Sequence, residues 1–312
     1  MAKELEKFKV IIDCDPGVDD SAAIILAALD PRIDVKLITT VSGNRPLKYS
    51  TKNALHIVEK FNFDIPVSRG ASKPLARPRK DASHIEGDGG LCNYKVTDPE
   101  YTKCIPGSAI DNMYKIITEN PHEIVLLEFA ALTNIAMLFQ KYPDAAGLVK
   151  KVIQVGGSPF RYKGRRPHVS FNVSSDPEAY DVVVKSGVDL TMVISEIGRH
   201  YAYFTYDEVM SLQNYNEICD FIFQIFNGRW EPGFQDKRVS LNDSCGIMLL
   251  LKPKFFKTKK GFIEVDLEDV PGKTEIDFES KTPNITVVMK ANRRKLYKYA
   301  IKTYKSYSNN KK

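Results

Sequence analysis

The side chains best suited to chemistry in this chain are packed into one stretch, Val10-Ile11-Ile12-Asp13-Cys14-Asp15-Pro16-Gly17-Val18-Asp19-Asp20. An apolar run ends in Asp13 and Asp15, a Pro-Gly turn follows, and Asp19 and Asp20 open the apolar segment from Ala22 to Leu29. That order reads as strand, tight turn and helix. On a strand Asp13 and Asp15 point to the same face, while Asp19 and Asp20 fall at a helix N-terminus, where the dipole and free N–H groups favour negative charge. The acids converge on a small volume and repel one another unless protons or a cation neutralise them. An all-oxygen set of this kind suits Ca2+ or Mg2+. A lone Asp-Asp pair would read as a helix cap with solvated acids; the D-x-D-P-G-x-D-D spacing argues for a bound hard cation instead.

Elements able to position such a cluster recur along the chain. β-prone apolar runs at Phe8–Asp13, Val35–Val41, Glu123–Glu128, Val152–Val155 and Leu190–Ile194 are each followed by a helix-like segment. The alternation predicts an α/β fold with a mostly parallel, doubly wound, Rossmann-like sheet flanked by helices. Continuously apolar runs such as Ile124-Val125-Leu126-Leu127 fit strands buried on both faces. Ligands of such sheets bind at the carboxyl ends of the strands, where the acidic stretch lies.

With 312 residues, 43% of them hydrophobic, the chain is long enough to bury a sizeable core, and it reads as a single domain over 1–312 with a disordered basic tail at 308–312. The net charge of +6 gathers in Arg161–Arg166, Lys252–Lys260 and Lys290–Lys312. No nucleic-acid motif or aromatic platform accompanies these runs, so they read as solvated faces and nucleic acid is not an expected partner. The five cysteines, Cys14, Cys92, Cys104, Cys219 and Cys245, are scattered and form no C-x-x-C pair, which suits reduced thiols. The charged N-terminus lacks a cleavable apolar core, and no apolar run approaches a membrane span. A cytoplasmic protein without membrane partners is expected.

Asp13-Cys14-Asp15-Pro16-Gly17-Val18-Asp19-Asp20 resembles the N-terminal signature of the inosine–uridine-preferring nucleoside hydrolases, Ca2+-dependent enzymes that cut the N-glycosidic bond of ribonucleosides. Further blocks carry the resemblance. Thr40-Val41-Ser42-Gly43-Asn44 resembles the segment whose Asn contacts the ribose; Leu132-Thr133-Asn134-Ile135-Ala136 resembles the helix start after the third metal-binding strand. Phe171-Asn172 followed by Asp176-Pro177-Glu178-Ala179 places Asn172 at a ribose position and Asp176 as a helix cap, and Asn242-Asp243 stands where the family has His-Asp. The chain also departs from the pattern. Glu86 replaces a His and Cys92 a Gly in the irregular Ser68–Thr102 loop, Phe129-Ala130-Ala131 replaces Thr-Gly-Pro, and Ser170 replaces a Glu that looks toward the 5′ end of the ribose.

The resemblance implies the nucleoside hydrolase fold and assigns roles. Asp15 and Asn44 fall among the catalytic residues, with Asp15 as the general base for a Ca2+-bound water. Asp15, Asp20, Asp243 and the Phe129 carbonyl would hold the cation, and Asp19, Asn44, Asn172 and Asp243 the ribose. Trp230 and Phe234, flanking Pro232-Gly233, are expected to stack on the base. Activation of the leaving group stays open among a solvent channel, Glu86, His84 and Asp236. Arg161, Lys163, Arg165 and Arg166, gained where an anion is lost, raise the expectation of a 5′-phosphorylated or otherwise altered substrate, so the partner is a small-molecule nucleoside or nucleotide. Homo-oligomerisation follows from the resemblance alone. The alternatives are a non-catalytic nucleoside sensor on the same fold and, from D-x-D alone, a metal-dependent phosphohydrolase.

Overall fold

The computed structural model describes residues 7–159, 169–229 and 237–308. Among them eleven strands run in chain order: β1 Phe8–Cys14, β2 Ile33–Thr40, β3 Val67–Arg69, β4 Val125–Glu128, β5 Lys151–Gly157, β6 Leu190–Ile194, β7 Tyr203–Thr205, β8 Arg238–Ser240, β9 Phe256–Val265, β10 Thr274–Asp277 and β11 Ile285–Ala291. Nine form one sheet in the order β10-β9-β11-β6-β5-β4-β1-β2-β3. From β3 across to β11 every neighbouring pair is parallel; β9 then pairs antiparallel with β11, and β10 with β9. β7 and β8 make a separate antiparallel pair.

The parallel part forms for the reason legible in the sequence: Val10, Ile11, Ile12, Val125, Leu126 and Leu127 are all buried, as strands covered by helices on both faces require. The antiparallel edge was not anticipated. In β9 Lys257, Thr258, Lys259 and Lys260 are exposed, so the basic stretch does form a solvated face, but on a strand whose pairing with β11 supplies the order its composition does not.

The sheet reverses its winding at β1. The chain steps outward from β1 to β2 and β3, then resumes at β4 on the other side of β1. This topological switch point opens a crevice beyond the carboxyl ends of β1 and β4. The helix Val18–Leu29 begins there, with Asp19 and Asp20 in its first turn and Gly17 N–H donating back to Asp20 Oδ2 at 3.1 Å. Its position is fixed from behind by the amphipathic helix Arg293–Lys305, whose buried Tyr304 donates its hydroxyl to the Ala22 carbonyl at 3.1 Å.

The helix Glu217–Asn227 buries Phe221 and Phe226, and Tyr215 just before it is exposed. All five cysteines are unpaired. No helix among the described residues is long and apolar enough to cross a membrane.

Candidate active site

Beyond β1 the chain has to place three carboxylates within a few residues, and a short hydrogen-bonded frame does so. Asp13 faces inward: its Oδ1 accepts from Thr39 Oγ1 at 2.5 Å and from Asn134 Nδ2 at 2.7 Å, tying β1 to β2 and to the helix Thr133–Lys141. Burial pushes its carboxyl up to about 7, against the lowering effect of those two donors. Asp13 is thereby a structural member of the acidic stretch.

Asp15, 2% exposed, accepts a hydrogen bond from the Asn44 backbone N–H through Oδ2, while its Oδ1 is buried without a protein partner. Asp20 is arranged in the same way, with Oδ2 on the Gly17 N–H and Oδ1 unpaired. Asp243 precedes the helix Ser244–Leu251 and is buried. Burial raises all three carboxyls well above the ordinary carboxylate range, and their mutual repulsion adds to it. One carboxylate oxygen from each of Asp19, Asp20 and Asp243 lies within 4.8 Å of the others. Asp15 stands outside that group, held by Asn44 on the side toward β2.

This donor set fits a hard cation. Orphaned buried oxygens on Asp15 and Asp20, next to a closed group of acid oxygens, are what a divalent ion with oxygen ligands relieves. The Phe129 carbonyl, just past β4, can join them. It accepts from Asn172 Nδ2 at 2.8 Å and keeps a second lone pair, while the Phe129 ring is buried against Gly246.

These groups, other than Asp13 and Asp15, line a cleft of about 400 Å³. Asp19, Asp20, Asn44, Glu86, Phe129, Asn172 and Asp243 all reach its wall, so residues from distant parts of the chain are brought together. Asn172 also donates to the Val155 carbonyl at 3.0 Å, and Gly156 (φ +99°) leaves it room, since a Cβ there would sit 2.7 Å from Asn172 Nδ2. Asp176 caps the helix Pro177–Lys185 through the Ala179 N–H at 3.1 Å. His84 is exposed at the rim, on the short helix Ser83–Glu86. Trp230, Phe234, Asp236, Arg161, Lys163, Arg165 and Arg166 lie outside the described residues.

The structure also adds groups that sequence reasoning passed over. Arg229 lines the cleft and donates from Nε to Glu86 Oε1 at 3.1 Å; Glu86, 4% exposed, also receives the Val18 N–H at 3.4 Å. Arg199, Ser195 and Ser240 line the cleft as well. Glu128 is fully buried, paired in register with Asp13 and held by the Ala130 N–H at 2.9 Å, with its other oxygen unpartnered. A carboxylate ending an apolar strand was the available signal for Glu128. Nothing in the local sequence marks Arg199 or Arg229.

A larger groove of about 540 Å³ runs between the helix Pro177–Lys185 and β9–β10, but none of the converging acids faces it.

Comparison with known proteins identifies the family. The family model for inosine-uridine preferring nucleoside hydrolases matches residues 10–298. The chain is 32% identical over 274 residues to the non-specific ribonucleoside hydrolase RihC of Salmonella typhi, covering 87% of this chain and 88% of that one. Its structure superposes on a plant nucleoside hydrolase, the PpNRh1 enzyme, with a TM-score of 0.88 at 26% identity, over 96% of this chain and 99% of the other. It has the same fold as the purine-preferring ribonucleoside hydrolase from Gardnerella vaginalis, with a TM-score of 0.87 at 22% identity over 95% and 98% of the two chains. With an acidic cleft at the switch point of the sheet and relatives matched over nearly its full length, the chain belongs to the inosine-uridine preferring nucleoside hydrolase family.

Proposed function

We propose that the protein hydrolyses the N-glycosidic bond of a ribonucleoside to free base and ribose, with Ca2+ as its resident cation. The observation that carries the reading is Asp15: a buried carboxylate fixed through one oxygen by the Asn44 amide, with the other oxygen buried and unpartnered close to Asp19, Asp20 and Glu86, which line the cleft. Such a group can take the proton of a water attacking the anomeric carbon. A spare oxygen held in this way speaks for a catalyst over a non-catalytic sensor.

Asp15, Asp20, Asp243 and the Phe129 carbonyl would hold the cation. When bound, Ca2+ neutralises the clustered acids and makes a neighbouring water more acidic. Asp19, Asn44 and Asn172 orient the ribose hydroxyls, which converts binding energy into alignment at the reacting carbon. Glu86 holds Arg229 at the end of the cleft nearest Asn44, which places a positive charge beside the departing base. Trp230 and Phe234, next in sequence to Arg229, are proposed to stack on that base with about 0.5–1.5 kcal/mol each beyond area burial. Five unpaired cysteines suit a cytoplasmic location. Homo-oligomerisation rests on the family resemblance.

The test is release of base and ribose from a panel of ribonucleosides, with and without chelator. Turnover that is lost in chelator and restored by Ca2+ supports the reading; a panel left intact in the presence of Ca2+ overturns it.

A further inference from the structure

In the bend after β4 a single peptide unit is held at both of its ends. The Phe129 carbonyl, at the cleft wall, accepts from Asn172 Nδ2 at 2.8 Å. The Ala130 N–H, the other end of the same peptide, donates to Glu128 Oε1 at 2.9 Å. In a planar trans peptide the C=O and N–H point in opposite directions, so whatever fixes the N–H also fixes where the carbonyl aims. One residue earlier, the Phe129 N–H donates to the Asp13 carbonyl at 2.9 Å and ties the start of the bend to β1.

The bend has little else to fix its shape. Glu128-Phe129-Ala130-Ala131-Leu132 contains neither proline nor glycine, so no ring and no left-handed residue sets the backbone. Ala130 is fully buried, which leaves its N–H out of reach of solvent. A buried N–H needs a protein acceptor, and the Glu128 side chain is the one supplied.

Glu128 is an expensive residue in this place. It stands in register between Asp13 on β1 and Gln154 on β5, fully buried, and its Oε2 has no partner. Burial raises its carboxyl well above the ordinary range and Asp13 adds to the rise, against the Ala130 N–H. An apolar side chain would end this apolar strand at lower cost. The contact that distinguishes Glu128 from such a side chain is the bond to Ala130. That bond asks only for an acceptor oxygen, which a carboxyl offers in either protonation state.

We infer that Glu128 is a positioning residue for the cation: it clamps the Phe129–Ala130 peptide so that the Phe129 carbonyl stays aimed into the site, and it acts through that carbonyl. The inference rests on the proposed role of the Phe129 carbonyl as a cation ligand. Without the acceptor, the Ala130 N–H is left buried and unpaired, the peptide rotates toward another partner, and the carbonyl turns with it. Groups that orient a ligand in this way set metal affinity nearly as strongly as the ligands themselves.

The test reads the peptide itself as well as Ca2+ affinity. Phe-Ala occurs once in the chain, so protein isotope-labelled at phenylalanine carbonyl carbons and alanine nitrogens gives one HNCO cross-peak, that of the Phe129–Ala130 unit. In wild type Ca2+ should shift this peak, with a Kd measured in parallel by calorimetry. Glu128→Met and Glu128→Ala remove the acceptor; either should weaken Ca2+ binding by about 10- to 100-fold and displace the peak before any Ca2+ is added. Glu128→Gln keeps an acceptor while losing the charge, and should hold both the peak and the Kd near wild type. If the variants without an acceptor bind Ca2+ as wild type does, Glu128 serves the fold alone and the inference is overturned. Equal weakening in Glu128→Gln and Glu128→Met would overturn it too, since charge would then be the cause, as would a wild-type peak that ignores bound Ca2+. Wild type that binds no Ca2+ at all removes the cation reading itself, and this inference with it.

Discussion

Asp15 and Gly43 are fitted to each other: the Asp15 carboxylate occupies the space a side chain at 43 would need, with Asp15 Cγ 2.8 Å from where a Cβ would stand. Only because residue 43 is glycine can Asp15 reach the Asn44 N–H. Gly43→Ala should therefore act as an active-site mutation without touching a catalytic group, displacing the base and lowering kcat by about 100-fold or more, as small misplacements do. Asp15→Asn should abolish turnover almost completely while the fold persists. Steady-state kinetics with circular dichroism checks both, and a fully active Gly43→Ala would show that the Asp15–Asn44 contact is dispensable.

Removal of the cation should be felt as stability as well as activity. Asp15, Asp20 and Asp243 repel one another in a dry site, so Ca2+ binding to the folded state alone should stabilise it by about 2.7 kcal/mol at a hundredfold excess over Kd and raise Tm with concentration. Asp20→Asn and Asp243→Asn should be as stable as wild type or more so in chelator and should gain little from Ca2+. Thermal melts over a Ca2+ titration decide this; identical Ca2+ responses in all three proteins would move the site elsewhere.

The Glu86–Arg229 pair is nearly buried, with side-chain exposures of 5% and 17%. Arg229→Ala leaves Glu86 facing Asp15 and Asp20 without its cation, and loss of one partner of a buried pair costs about 3–5 kcal/mol. Replacing both by glutamine should be milder than the sum of the single changes. A double-mutant cycle in urea measures the coupling, and strict additivity would mean that the pair is not formed in solution.

His56 supplies a pH signature independent of the active site. It is buried, with one ring nitrogen 3.2 Å from Tyr94 Oη and the other 3.0 Å from Thr97 Oγ1. Burial, aided by Lys60 and Lys52, lowers its pKa from 6.5 to about 4. Between those values the unfolded chain binds the extra proton, so ∂ΔG/∂pH is positive and stability is lost as pH falls from about 6.5 toward 4. His56→Gln should flatten this part of the Tm–pH curve. An unchanged curve would assign the acid sensitivity to other groups.

Much of the architecture was legible because buried parallel strands have to be apolar throughout, and β1, β4, β5 and β6 carry runs that admit little else. The β9–β10 edge was not, since a solvated strand dominated by Lys and Thr owes its order to its partner and leaves no periodic trace. Within the site, spacing alone placed Asp15, Asp19 and Asp20 near one another, because a strand-turn-helix corner keeps neighbours in sequence close in space. The family resemblance, more than spacing, pointed to Asn44, Asn172 and Asp243.

What the sequence determined by itself was therefore the acidic corner and the sheet that carries it, both set by local geometry and by apolar patterning. Only the tertiary structure decided which acid is structural, turning Asp13 inward to Thr39 and Asn134, and which charges face the substrate. Arg199 and Arg229 became visible once β6 and the helix Glu217–Asn227 had brought them to the cleft wall. The reason is physical: an arginine reads as solvated wherever it occurs in sequence, and what it can bind depends on the acids and donors that distant segments place beside it.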